Sequence, residues 1–273
     1  MKKNNPAADN EPSLHCRIPQ VLRARGYRLY LSNGSDRKGS RRLVDLWLNG
    51  GSAVLGHTPP NLLRELKNTA SRGLYAPFPH FSEGRFIKAL SKLLPGRSFR
   101  LYAAPPLELA SCAGLKLWRP YADLENPFAA DDEDDSLLVP VIPGIQIWRG
   151  GLPFGLCVIA AKHGLNPGLP PGDMLSPVLL TAAARGIYDI IAAPERGKPN
   201  LPLVFKALKT SIWQRNGIYL TLREAVNRND WETLFNKFLE AGFLLPPTPF
   251  QPLILPGELS EGEQSKMAAV IKN

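Results

Sequence analysis

The sequence is poor in the residues that build metal and disulfide sites. Three cysteines, Cys16, Cys112 and Cys157, stand far apart without CxxC spacing, so neither a zinc site nor a disulfide framework is expected. The four histidines, His15, His57, His80 and His163, show no HxxxH-type spacing, and no metal is expected. No run reaches the roughly 18 apolar residues of a membrane helix. The charged start, Met1-Lys2-Lys3-Asn4-Asn5-Pro6, is followed by no apolar stretch of the secretory kind, which makes a cytoplasmic protein the expectation. No internal repeat is found.

What is present is the composition of a folded chain. Its 273 residues are 44% hydrophobic and 21% charged, too apolar for disorder and able to bury one large domain or two smaller ones. The net charge is +9 and is unevenly placed. Ten Lys and Arg lie between Met1 and Arg42, against Asp9, Glu11 and Asp36. Nucleic-acid binding would want aromatic residues among these charges, and only Tyr27 and Tyr30 are near. A solvated basic face is the preferred reading, and nucleic acid is not the expected partner.

Turn signals divide the chain into short strands and helices. Residues 28–31 and 43–48 read as strands joined by Ser32-Asn33-Gly34-Ser35-Asp36. Thr58-Pro59-Pro60 opens a helix with Leu62, Leu63, Leu66 and Ala70 on one face, ended by Gly73. Ser82-Glu83 opens another, with Phe86, Ile87, Leu90 and Leu94 aligned, stopped by Pro95-Gly96. Strands are expected at 100–103, 137–141 and 156–160, with a possible helix at 107–118. The acidic run Asp131-Asp132-Glu133-Asp134-Asp135 lacks the alternation and turn glycine of a calcium loop and reads as solvated. A helix over 177–192 precedes a proline-rich linker at 194–202. A strand at 217–222, a helix at 230–241, a strand at 252–255 and a last helix complete the chain. Ser260 and Glu263 stand at capping-box spacing at the start of that helix.

Three segments resemble class III aminotransferases, pyridoxal-phosphate enzymes that include glutamate-1-semialdehyde aminomutase. Leu43-Val44-Asp45-Leu46-Trp47, continuing through Asn49-Gly50-Gly51 to Leu55-Gly56-His57-Thr58-Pro59, looks like the opening strand, glycine turn and "LGH.hP" signature. Gly150-Gly151-Leu152-Pro153-Phe154-Gly155 resembles the "GGGLPxG" run that follows the Schiff-base lysine. Gly242-Phe243-Leu244-Leu245-Pro246-Pro247, on to Ser260, resembles the C-terminal run. Counted back from Gly150 without a gap, the lysine position holds Gln146. Arg100 to Glu108 is similar to "RFxNSGTEA", the turn that cradles the cofactor phosphate. Here Pro105-Pro106 removes two N–H donors from that turn. Glu108 and Gln146 are 38 positions apart, room for little more than one βαβ unit, where the family has several.

The resemblance implies an α/β fold: a fold-type I transferase with a shortened large domain and a small C-terminal α+β domain. The divisions implied are a basic N-terminal segment with its hairpin (1–57), the large-domain remnant (58–196) and the small domain (197–273). Transamination needs a lysine amine to form the imine and carry the proton, and glutamine does neither. The expectation is therefore an aminotransferase-like protein without its catalysis, with no bound cofactor, or pyridoxal phosphate if any. The alternative is an active enzyme that takes its lysine from elsewhere, such as Lys162, or from a partner subunit. Gln146, Trp148, Arg149, Gly150, Gly151 and Ser176 are the candidate pocket residues, with Arg149 offering a fork for a carboxylate or phosphate. His57 reads as a capping or packing residue. A homodimer is implied, with a small molecule or another protein as the further partner.

Overall fold

The structure, a computed structural model, describes residues 13–32, 41–103, 116–130, 136–139, 156–162, 164 and 169–272. The calls at Gln146, Trp148, Arg149, Gly150 and Gly151, the Pro105-Pro106 turn, the acidic run and residues 107–115 of the expected helix lie outside them.

Strands β1 (Val21–Arg25), β2 (Arg28–Leu31) and β3 (Arg41–Asp45) form an antiparallel meander. The hairpin of β2 and β3 was legible; β1 was not, because all but one of its residues are exposed and it carries no apolar alternation. A fourth strand, β10 (Phe243–Leu244), adds in parallel to β3, so the two ends of the chain share one sheet. A 3-10 turn at Leu14–Arg17 lies before β1 and buries Leu14.

Helices α1 (Pro60–Ala70) and α2 (Ser82–Leu93) fall where their proline and serine starts placed them. Both pack on α3 (Pro177–Ile191). The small residues Ala182, Ala183, Ala184 and Gly186 leave α3 smooth enough for neighbours to approach closely. The second sheet has the order β4-β7-β6-β5, from β4 (Ser98–Tyr102), β5 (Lys116–Leu117), β6 (Ser136–Val139) and β7 (Cys157–Ala161). Every residue of β7 is buried, as expected of an inner strand covered on both faces. Residues 116 and 117, expected within a helix, form β5 instead: apolar spacing alone does not separate a buried strand from a buried helix, and pairing with β6 decides.

The C-terminal part carries α4 (Pro202–Leu208), β8 (Trp213–Asn216), β9 (Tyr219–Leu222), α5 (Arg228–Glu240), β11 (Leu253–Ile254) and α6 (Glu261–Lys272). The expected strand at 217–222 is half right. Gly217-Ile218 is the turn of a β8–β9 hairpin closed by the Asn216–Tyr219 pair, with Gly217 at φ 58. A Cβ at position 217 would collide with the carbonyl oxygen of Tyr121, so glycine is required twice over. Trp213, Trp231, Phe238 and Phe243 meet edge-on at 6.1–6.5 Å and form the aromatic centre of this part.

Candidate functional site

In the β4-β7-β6-β5 sheet, β4, β5 and β6 run parallel to one another and β7 runs against them. The carboxyl ends of β4, β5 and β6 therefore share one edge with the start of β7: Tyr102 faces Cys157, and Val139 faces Val158. Ligands of open α/β sheets bind outside such carboxyl ends. The strands that flank the Pro105-Pro106 turn and the Gln146 segment thus terminate at a common edge, which is the candidate site.

The described side of this edge is built from β4 and the stretch 169–173 beside it. Asp173 N–H donates to Leu101 O at 2.9 Å, and the Asp173 carboxylate accepts from Ala103 N–H at 2.8 Å. Arg100 donates to the carbonyls of Leu169 and Pro170, and Tyr102 Oη donates to Pro170 O at 2.8 Å. Gly172 lies so close to β4 that a Cβ there would sit 2.9 Å from Leu101 O. Burial raises the Tyr102 phenol above its ordinary value, opposed by Arg100. Burial pushes the Cys157 thiol up to about 12, so it is a packing group rather than a nucleophile. A cavity of about 280 Å³ lies between α2 and β4, with Glu83, Arg100 and Asp173 as its charged lining.

Ser176, the candidate residue that lies among those described, precedes Pro177 at the start of α3. Its hydroxyl donates to Leu74 O at 3.3 Å, which ties α3 to the loop after α1. Lys162 follows β7, at the far end of that strand from Cys157. Five residues of strand separate the two ends, about 16 Å at 3.3 Å per residue.

His57 pairs with a buried carboxylate. Its Nε2 lies 2.9 Å from Asp45 Oδ2, while Asp45 Oδ1 accepts from Trp47 N–H and Leu48 N–H. Asp45, only 2% exposed, thereby holds a turn in which Leu48, Asn49, Gly50 and Gly51 all have positive φ. Non-glycine residues resist that conformation by roughly 1–2 kcal/mol each, and the paired carboxylate helps to hold it.

Two residues here were not signalled by the sequence. Asp173 sits in a glycine- and proline-rich stretch that reads only as loop. Arg196 lies in the stretch read as a linker, which instead forms a 3-10 turn at Pro194–Gly197, followed by α4. Arg196 is buried. It donates to Val54 O and Leu255 O, with its guanidinium 5.1 Å from the Tyr27 ring centre. Burial lowers its pKa, against the phenols of Tyr27, Tyr219 and Tyr121. Among the described residues, no group of three or more His, Cys, Asp or Glu could hold a metal ion.

A mixed sheet with helices packed beside it and a candidate site at its carboxyl edge defines an α/β protein. Comparison with solved structures makes the fold more specific: it is that of aminotransferases. Plasmodium falciparum ornithine delta-aminotransferase superposes with a TM-score of 0.64 at 14% identity, over 97% of this chain and 94% of that one. Acetylornithine aminotransferase from Elizabethkingia anophelis gives 0.62 at 13%, over 98% and 95%. A transaminase with PLP bound gives 0.63 at 11%, over 93% and 89%. Two uncharacterized proteins are similar in sequence: one from Treponema pallidum, 26% identical over 88% of this chain and 90% of its own length, and one from Borreliella burgdorferi, 27% identical over 94% and 92%. No protein-family profile matches the chain.

Proposed function

We propose that this is an aminotransferase-fold protein that has lost pyridoxal-phosphate catalysis and acts as a binding or partner protein. The observation that carries the reading is Asp173 on Ala103 N–H. Ala103 opens the turn that, by resemblance, would cradle the cofactor phosphate. A carboxylate already accepts a hydrogen from the backbone there, and its charge opposes that of a phosphate. The described residues at this corner therefore do not fit the group. Pro105-Pro106 and the glutamine at the lysine position point the same way. Strand polarity argues against rescue by Lys162, which emerges at the opposite edge of the sheet from the one where β6 ends and β7 begins.

On this reading the large domain is shortened, Gln146, Trp148, Arg149, Gly150, Gly151 and Ser176 line a residual pocket for a small molecule or a protein segment, and the chain is a cytoplasmic homodimer. No helix among the described residues is long and apolar enough to cross a membrane. The test is incubation of the purified chain with pyridoxal phosphate followed by borohydride reduction. No stable cofactor adduct is expected. A reducible imine absent from one specific lysine variant would overturn the proposal and identify the residue that replaces Gln146.

A further inference from the structure

The register of the N-terminal sheet gathers charge that is only scattered in the sequence. Arg23, Tyr30 and Arg42 are cross-strand neighbours in one row, and Arg25, Arg28 and Val44 form the next row on the same face. Strands lie about 4.8 Å apart and successive rows about 6.8 Å apart, so four arginines and Tyr30 start from one small patch of this face. The guanidinium carbon of Arg23 stands over Tyr30, 4.1 Å from the ring centre. Arg23 and Arg25 are exposed and Tyr30 is half-buried.

The acidic groups facing this patch come from the start of α6. Glu263 pairs with Arg28 at 2.7 Å and Arg42 at 3.1 Å, and Glu258 pairs with Arg28 at 3.4 Å. They neutralise the inner half of the face. The outer half, on edge strand β1, keeps its charge.

We propose that this face binds single-stranded nucleic acid. Arg25, on the outer half, contacts a phosphate, and a base stacks on the guanidinium of Arg23, which Tyr30 supports from beneath. Three features favour this ligand over an acidic peptide or an anionic membrane. The cations of the two rows are all arginines, whose planar fork suits phosphate and whose face stacks on bases. An aromatic ring stands within the cationic row, as in sequence-tolerant single-strand platforms. The patch is a short strip on a sheet face rather than an element shaped to enter a duplex groove. The surface is distinct from the carboxyl edge of the other sheet, so the inference does not depend on the fate of the cofactor site.

The test is fluorescence anisotropy of the full chain with a labelled single-stranded oligonucleotide of about 16 nucleotides, the upper end of single-module site sizes. Binding is expected to weaken steeply with salt, with a logarithmic slope of about −0.7 for each phosphate neutralised. The double substitution Arg23→Glu/Arg25→Glu should weaken binding at least tenfold. Tyr30→Ala should weaken it several-fold, and Tyr30→Phe should bind like the parent. Unchanged melting curves for these surface variants would show that the fold is intact. Absence of binding by the parent chain, or equal binding by the charge-reversed variant, overturns the proposal. So does a result in which polyglutamate or phosphatidylserine vesicles, but not the oligonucleotide, are lost by charge reversal; that would assign the face to an acidic protein or a membrane.

Discussion

Arg196 shows how one side chain can hold segments far apart in the chain. Its guanidinium bonds the carbonyl after the strained 48–51 turn and the carbonyl after β11, with Tyr27 against its flat side. A charge-assisted hydrogen bond contributes roughly 1.5–3 kcal/mol, and a buried carbonyl left bare is costly in its own right. Arg196→Met keeps most of the volume but strands both carbonyls. It should destabilise the protein by about 3 kcal/mol in urea denaturation, with Arg196→Lys recovering part of the loss. A variant as stable as the parent would remove this account of Arg196. His15 gives a second residue-scale prediction. Its ring packs edge-on against Trp47, with Nε2 2.8 Å from Leu245 O. Burial lowers its pKa below the ordinary 6.5, opposed by the Leu245 carbonyl and Asp45. A histidine whose folded pKa is depressed protonates more readily when unfolded. Stability should therefore fall as pH drops below about 6.5 and level off below the depressed value. His15→Phe should flatten that part of a plot of urea midpoint against pH. That His57 adjoins a glycine turn was legible; that it pairs with Asp45 was not. Nor were the roles of Asp173 and Arg196, because each acts through backbone groups remote in sequence.

Elements whose signals are local were the legible ones. Helices α1, α2, α3, α5 and α6 start within a few residues of where proline, serine or acidic signals placed them. The capping box of α6 is present as spaced: Ser260 N–H donates to Glu263 Oε2 at 2.9 Å, and Glu263 N–H to Ser260 Oγ at 3.3 Å. The sequence could not show that the same glutamate also receives Arg28 and Arg42. Burial alone would raise the Glu263 pKa, but the hydrogen bonds from Arg28 and Ser260 outweigh it and bring the group down to about 2. A carboxylate depressed in this way stabilises the fold above its unfolded pKa, and the contribution is lost as pH falls from about 4.5 toward 2. Glu263→Gln should cost about 1 kcal/mol or more at neutral pH, a typical cap contribution, and the difference from the parent should shrink as acid is added. A constant difference across that range would show that shape, not charge, is what Glu263 supplies. The two-residue strands β5 and β10 were missed because their existence depends on a partner strand, not on their own residues, whereas β11 falls inside the strand expected at 252–255.

At the scale of the whole molecule, the resemblance of three separated segments gave the fold family, but not how the parts interlock. Strand β10 pairs with β3, Trp47 Nε1 donates to Gln251 Oε1 and Ile254 N–H donates to Leu46 O, so the N-terminal meander and the C-terminal part fold against each other. The loop after β5 closes the other junction. Tyr219 Oη donates to Pro120 O, Ile218 N–H to Tyr121 O and Tyr121 Oη to Ile190 O, linking the β8–β9 hairpin, the β5 loop and α3. Each of these contacts spans many residues of sequence and buries polar groups that would be left unpaired if either side opened alone. The chain should therefore unfold as one unit rather than as a small domain leaving a large one. Tryptophan fluorescence, to which Trp47, Trp213 and Trp231 in the joined terminal parts contribute three of five indoles, should follow the same urea transition as far-ultraviolet ellipticity, to which α1, α2 and α3 contribute heavily. Two separated transitions would mean that the β5 loop and the β3–β10 pairing are too weak to couple the parts. Tyr219→Phe, which deletes only the hydroxyl donated to Pro120, tests the junction: with strong coupling it should shift both signals by the same amount.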